Sequence, residues 1–254
     1  MKLGFIGTGE ITKSVVIGIL KSKINYKNIY LSKRNKKISA YLKKKNKKII
    51  VSSSNQEIVN KSDWVFLAVT PLVGMKILKN LKFKQKQYVI SFISTIKMSQ
   101  LKKLIKSNCK IIRAIPLPPI EHKVGPIPIF PPNNQIKKFF NKLGTTIEIK
   151  NEMSSLNYWA TSSLMAPFFE ILNISCKWLI KRGVNETEAK KYVTSLFFGL
   201  AVSSIKNNYK DLDLLVKHSQ TSKGLNEQTL KFLKNSRFYS NLSKSLDKIL
   251  IRLK

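Results

Sequence analysis

Gly7, Gly9 and Thr12, within Gly4-Phe5-Ile6-Gly7-Thr8-Gly9-Glu10-Ile11-Thr12, have the spacing of a turn that cradles a phosphate. Residues 2–7 form an apolar run that reads as a strand, and Ile11, Val15, Val16, Ile19 and Leu20 then recur at helical spacing. Such a strand-to-helix turn aims backbone amides and the positive end of a helix dipole at one spot. A pyrophosphate can settle there against Gly7, Thr8, Gly9, Glu10, Ile11 and Thr12. Glycine at the first two positions permits the bend and the close approach. Thr12 replaces the glycine or alanine that eases helix against strand, at a place where the phosphates do not touch the side chain. The chemistry implied is dinucleotide binding.

Which dinucleotide is decided about 20 residues further on, where an acidic residue would take both hydroxyls of an unphosphorylated ribose. The sequence there is Ser32-Lys33-Arg34-Asn35, without a carboxylate. Ser32, Lys33 and Arg34 make a small anion site suited to a 2′-phosphate, so NADP(H) is the expected coenzyme.

The elements that must position these residues alternate through the first half. Strand-like runs at 2–7, 28–32, 48–52, 64–69, 87–93, 110–114 and 146–149 are separated mostly by helical patterns, including 38–45 and 56–61. Alternation of this kind predicts an α/β fold, a doubly wound parallel sheet of the Rossmann type covered on both faces. Beyond about residue 151 only helical periodicity is found, at 166–181, 186–207, 211–218, 227–235 and 239–253, with Asn185-Glu186-Thr187-Glu188 spaced as a capping box. The chain is thus expected to hold a nucleotide domain at 1–150 and a smaller all-helical domain at 151–254. Residues 193–202 are apolar on almost every side, which predicts a helix central to its domain or buried against a second subunit.

Composition narrows the rest. Of 254 residues 47 are Lys or Arg and 13 Asp or Glu, a formal charge of +34. Only five of the 47 are arginine, the residue suited to bidentate phosphate contacts, and the basic residues are spread along the whole chain. The surplus reads as a compositional bias toward lysine, so no specific nucleic-acid partner is expected. Cys109 and Cys176 with His122 and His218 cannot build a disulfide framework or a four-ligand metal site, so no metal is expected. His218 reads as a helix-end residue and the cysteines as core thiols. No uninterrupted apolar run nears the roughly 20 residues of a membrane span, and the amino terminus lacks the pattern of a signal peptide. A cytoplasmic protein is expected.

Taken together, these motifs resemble the pyrroline-5-carboxylate reductase family. Gly4-Phe5-Ile6-Gly7-Thr8-Gly9 is similar to its opening Gly-Phe-Ile-Gly-x-Gly, and Ser32-Lys33-Arg34-Asn35 to its phosphate-reading turn. Asn55 resembles its coenzyme-contacting asparagine. Leu67-Ala68-Val69-Thr70-Pro71 resembles its Leu-Ala-Val-Lys-Pro strand end, and Arg113-Ala114-Ile115-Pro116 its Arg-Val-Met-Pro. The resemblance implies that Asn55, Ala68, Val69, Thr70 and Pro71 also meet NADP(H), and that the helical half is a dimerisation domain, giving a homodimer or a higher homo-oligomer.

On the substrate side the pattern departs from the family. Its Asn-Thr-Pro reads Leu117-Pro118-Pro119, its Ser-Gly-Ser-Gly-Pro loop reads 161–167 with Pro167 opening a helix, and its Pro-Gly-Gly-Thr-Thr turn reads Ser222-Lys223-Gly224-Leu225-Asn226. The implied reaction is hydride transfer from NADPH to Δ1-pyrroline-5-carboxylate, a small cyclic imine bearing a carboxylate. The residues expected to bind that substrate are Lys223, Gly224, Leu225 and Asn226, through amides at a helix start, with Thr221, Ser222 or Asn226 bonding the imine nitrogen. The altered loops keep open an NADP-dependent reductase of another imine or carbonyl compound. The charge keeps open a nucleotide-binding sensor or nucleic-acid-associated protein without turnover.

Overall fold

The computed structural model describes residues 1–206 and 211–253. The described residues fall into two compact units, Met1–Trp159 and Ala160–Lys254.

In the first unit β1 (Lys2–Ile6), α1 (Glu10–Leu20), β2 (Asn28–Ser32), α2 (Lys36–Lys45), β3 (Ile49–Ser52), α3 (Asn55–Lys61) and β4 (Trp64–Leu67) follow one another. Then come α4 (Pro71–Leu78), β5 (Tyr88–Ser91), α5 (Met98–Leu104), β6 (Lys110–Ala114), β7 (Pro126–Phe130), α6 (Asn134–Phe140), β8 (Thr145–Glu148) and α7 (Glu152–Ser162). The strands lie in one sheet, in the order β3-β2-β1-β4-β5-β6-β7-β8. Its order reverses between β1 and β4, which is the switch point of a doubly wound sheet. Strands β4 and β5 are buried along their whole length, as helices on both faces require. One face packs Val15, Val16 and Ile19 of α1, Ile38 and Leu42 of α2, and Phe139 and Phe140 of α6. The other packs Ile58 and Val59 of α3, Leu78 of α4, and Leu101 and Leu104 of α5.

The sheet departs from the expected all-parallel pattern at one place. β7 is an unforeseen strand, and it runs antiparallel to β6 with Arg113 opposite Phe130 and Ala114 opposite Ile129. Pro126 and Pro128 disguise it in the sequence, because proline removes a ladder donor. Between β6 and β7 lies a single 3₁₀ turn, Pro118–His122, where a parallel return would need a crossover helix.

α7 was likewise not legible as an element, its polar and apolar residues giving little helical bias. Its end also alters the expected loop at 161–167: Thr161 and Ser162 complete the helix, and Pro167 sits in the first turn of the next one, where its missing amide is harmless.

The second unit is helical among its described residues: α8 (Met165–Lys181), α9 (Glu186–Lys206), α10 (Leu212–His218), α11 (Leu225–Asn235) and α12 (Phe238–Leu253). The expected helix end at Asn207 lies outside the described residues. Asn185 accepts from the amides of Thr187 and Glu188, at 2.9 and 3.4 Å, and so starts α9. Within the single chain α8, α10, α11 and α12 bury no residue fully, and α9 buries only Ala189 and Val193. Trp178 is 54% exposed and Phe198 71%. By length and composition the stretch Glu152–Lys181, which contains an 18-residue window of mean hydropathy 1.2, could cross a membrane, although a turn at Ser163 and Leu164 interrupts it.

Candidate functional site

Gly7 takes φ +98°, a conformation that L side chains resist, and a Cβ there would lie 2.2 Å from the Ala68 carbonyl oxygen. Glycine is therefore required on two counts. Gly9 caps α1 in an extended conformation with open space where a Cβ would be. That opening lets a ligand approach the amides of the first helical turn.

The turn is braced by hydroxyls. Thr12 is fully buried and its Oγ1 donates to the Gly7 carbonyl at 2.6 Å, so the threonine in place of a third glycine ties the loop to its own helix. Thr8 Oγ1 donates to the Ser32 carbonyl at 2.7 Å, and Ser32 Oγ accepts from the Gly7 amide at 3.0 Å while contacting Thr8 Oγ1 at 3.0 Å. Ser32 thus holds β2 to the glycine turn. Lys33 and Arg34, both exposed, are the positive groups at that strand end.

Two cavities open at this carboxyl edge of the sheet. One, of about 410 Å³, is lined by Gly7, Lys33, Arg34, Asn55, Val73 and Ile77 among others. The other, of about 650 Å³, lies over Gly7, Thr8, Gly9, Arg34, Ala68, Val69 and Thr70. Cations and an apolar wall of Val69, Val73 and Ile77 suit a phosphorylated adenosine in the first, and the amides of the turn suit a diphosphate in the second. The sequence reading missed Val73 and Ile77, although their spacing of four after Pro71 marks one helix face. Glu10 points outward to Lys13 at 3.2 Å, leaving only its backbone to face an anion, and Pro71 is the first residue of α4.

The Ser53–Asn55 side of the first cavity is shaped by Glu57. Its carboxylate accepts from the amide and hydroxyl of Ser53, both at 2.7 Å, and from Lys61 at 2.7 Å, while its own amide donates to Ser54 Oγ at 3.1 Å. These bonds, that of Lys61 foremost, lower its pKa to about 2.

Further along the same edge, the side chain of Arg113, 2% exposed near the end of β6, donates to Glu152 at the start of α7 and to the Ser94 carbonyl. Glu152 also accepts from the Met98 amide at 2.7 Å, and Trp159 lies over the guanidinium at 4.3 Å. Burial pulls the Arg113 pKa below its ordinary value, with Glu152 pushing back. Arg113 Nε and Trp159 Nε1 are buried without a hydrogen-bond partner. Each such donor costs about 1–3 kcal/mol, so stability alone is a poor reason for this cluster. Sequence reading gave Arg113 no role and did not single out Glu152, because 39 residues separate the pair.

In the second unit the residues expected to meet a substrate form one turn between α10 and α11. Lys223 takes φ +59°, Gly224 caps α11, and the Gly224 amide donates to the Thr221 carbonyl at 2.8 Å. Asn226 Nδ2 donates to the Ser219 carbonyl at 2.8 Å and Glu227 accepts from the Lys223 amide. The helix's own bonding begins only at Gln228, whose amide donates to the Gly224 carbonyl at 3.1 Å. The amides of Leu225, Asn226 and Glu227 thus have no partner within the helix, as in the first turn of any helix. His218 ends α10, and both cysteines are free and half-buried.

A family model described as NADP oxidoreductase, coenzyme F420-dependent, matches residues 2–95, the stretch that holds the glycine turn and the Lys33-Arg34 strand end. A pyrroline-5-carboxylate reductase of Haemophilus influenzae is 27% identical over 233 residues, covering 87% of this chain and 84% of its own. The chain is similar to pyrroline-5-carboxylate reductases over most of its length. Solved reductases of that name share the fold of both units. That of Streptococcus pyogenes has a TM-score of 0.83 at 19% identity, covering 100% of this chain and 98% of its own. That of Plasmodium falciparum, described with NADP bound, has a TM-score of 0.83 at 22% identity, covering 100% and 97%.

Proposed function

We propose that this chain is an NADPH-dependent reductase of Δ1-pyrroline-5-carboxylate, yielding L-proline, and that it acts as a cytoplasmic homo-oligomer. Similarity along its whole length to reductases of that name carries the reading. The first unit supports it with a glycine turn, two cations and an apolar adenosine wall in one place.

Bound NADPH supplies a hydride to the imine carbon while the imine nitrogen carries a proton. The chain's own work is to hold two ligands and exclude water. Amides from Thr8 to Thr12 take the diphosphate, in a turn that Gly7 opens and whose Gly7 amide is held by Ser32; Lys33 and Arg34 take the 2′-phosphate, and Asn55 with Ala68, Val69, Thr70 and Pro71 the rest of the coenzyme. The helix start at Gly224, Leu225 and Asn226 takes the substrate carboxylate, with Lys223 adding charge. Thr221, Ser222 and Asn226 face the imine nitrogen. Because Asn226 Nδ2 is held by Ser219, its Oδ1 is the atom that accepts the N–H.

The helical unit supports an oligomer. Phe168, Phe169, Trp178, Leu196, Phe198 and Leu200 stand exposed in the single chain, far more apolar surface than water-facing helices carry. A second copy covers it better than lipid does, since α8 and α9 also carry Glu170, Lys177 and Glu186.

The test is to mix purified protein with NADPH and Δ1-pyrroline-5-carboxylate, follow the reduced nicotinamide and assay proline. Stoichiometric proline is the expected result. Oxidation with other cyclic imines but not this one would give the chain to a different substrate, and no oxidation with any would remove the assignment.

A further inference from the structure

The adenosine cavity lies over the β2 and β3 side of the switch point, so the nicotinamide half of the coenzyme belongs on the other side, over the carboxyl ends of β4, β5 and β6. The backbone there is the 92–97 loop that follows β5. Its position is set from beneath by one ion pair, of a buried arginine with a partly buried carboxylate: Arg113 holds the Ser94 carbonyl, and Glu152, paired with Arg113, holds the Met98 amide where α5 begins. Ile93 and Ile96 anchor the same loop in the core, so the pair fixes its polar backbone while they fix its apolar side.

We infer that Arg113 and Glu152 are positioning residues for hydride transfer, setting the loop that shapes the nicotinamide half of the coenzyme site. This rests on the proposed reductase activity. A buried ion pair that served folding alone would be replaceable by an uncharged pair of similar volume, because desolvation offsets most of its attraction. The Arg113→Met, Glu152→Gln double variant supplies that replacement, and the oxygen of the introduced carboxamide can still accept from the Met98 amide.

In the double variant the full-length chain is expected to melt close to wild type and to bind NADPH within about threefold, the adenosine anchors being untouched. Amides of 94–98 should exchange hydrogen faster, the emission of bound reduced nicotinamide should change, and kcat should fall by about 100-fold, as a displacement on the order of 1 Å can cause. Arg113→Lys, with one nitrogen where the guanidinium uses two, should fall between. Wild-type kcat, emission and exchange in either well-folded variant would overturn the inference, as would loss of NADPH binding itself. Emission and exchange are read without substrate, so an inactive wild type would count against the reductase reading and leave this test standing.

Discussion

Arg34 and Ser32 are neighbours in sequence with different work. Ser32 is spent on the Gly7 amide and Thr8, whereas Arg34 lines both cavities and is exposed. Removing charge with Lys33→Gln and Arg34→Leu should raise KM for NADPH about 10- to 100-fold, the range of a lost charge-assisted bond, and leave KM for NADH nearly unchanged. Equal losses for both coenzymes, measured by steady-state kinetics, would place the 2′-phosphate elsewhere. Thr12→Val should cost about 1 kcal/mol of stability by chemical denaturation, because the partly buried Gly7 carbonyl loses a donor. Acid gives a third residue-scale prediction. The folded-state pKa of Glu57 is lowered to about 2, so its contribution is complete above the unfolded value near 4.5 and is lost as pH falls from there toward 2. Glu57→Gln should flatten the acid side of the stability profile across that window, as thermal melts at stepped pH would show.

Among the elements, the strand-to-helix turn after β1 has the least tolerance. Gly7→Ala meets both the φ of +98° and the Ala68 carbonyl, at about 1–3 kcal/mol for the backbone strain alone. NADPH binding by titration calorimetry should disappear while the sheet persists by circular dichroism. This turn was legible in sequence because its signal is local: a strand, two glycines and a helix in consecutive residues. β7 was not, since its two prolines mask a strand whose partners lie outside its own segment. Nor was the Arg113–Glu152 pair, which exists only because β6 and α7 meet.

At the scale of the molecule, the apolar run at 193–202 pointed to burial, yet in the single chain Leu196, Phe198 and Leu200 are exposed. If the proposed oligomer forms through this face, Phe198→Glu together with Leu200→Lys should convert it to monomer in sedimentation velocity and lower the melting temperature, since this unit buries little of its own. An unchanged sedimentation coefficient would assign the interface to another face. The +34 charge predicts only a salt-sensitive, sequence-independent attraction for polyanions.

By itself the sequence determined what depends on near neighbours along the chain: the alternation of strands and helices, the glycine turn, the absence of an acid at the second strand end, and the change to helices near residue 151. Tertiary structure decided which hydroxyl braces and which cation is free, the reversal of β7, and the ion pair beneath the 92–97 loop. These follow from contacts across tens of residues, where burial and geometry assign each polar group its partner, and no local pattern of residue types records them.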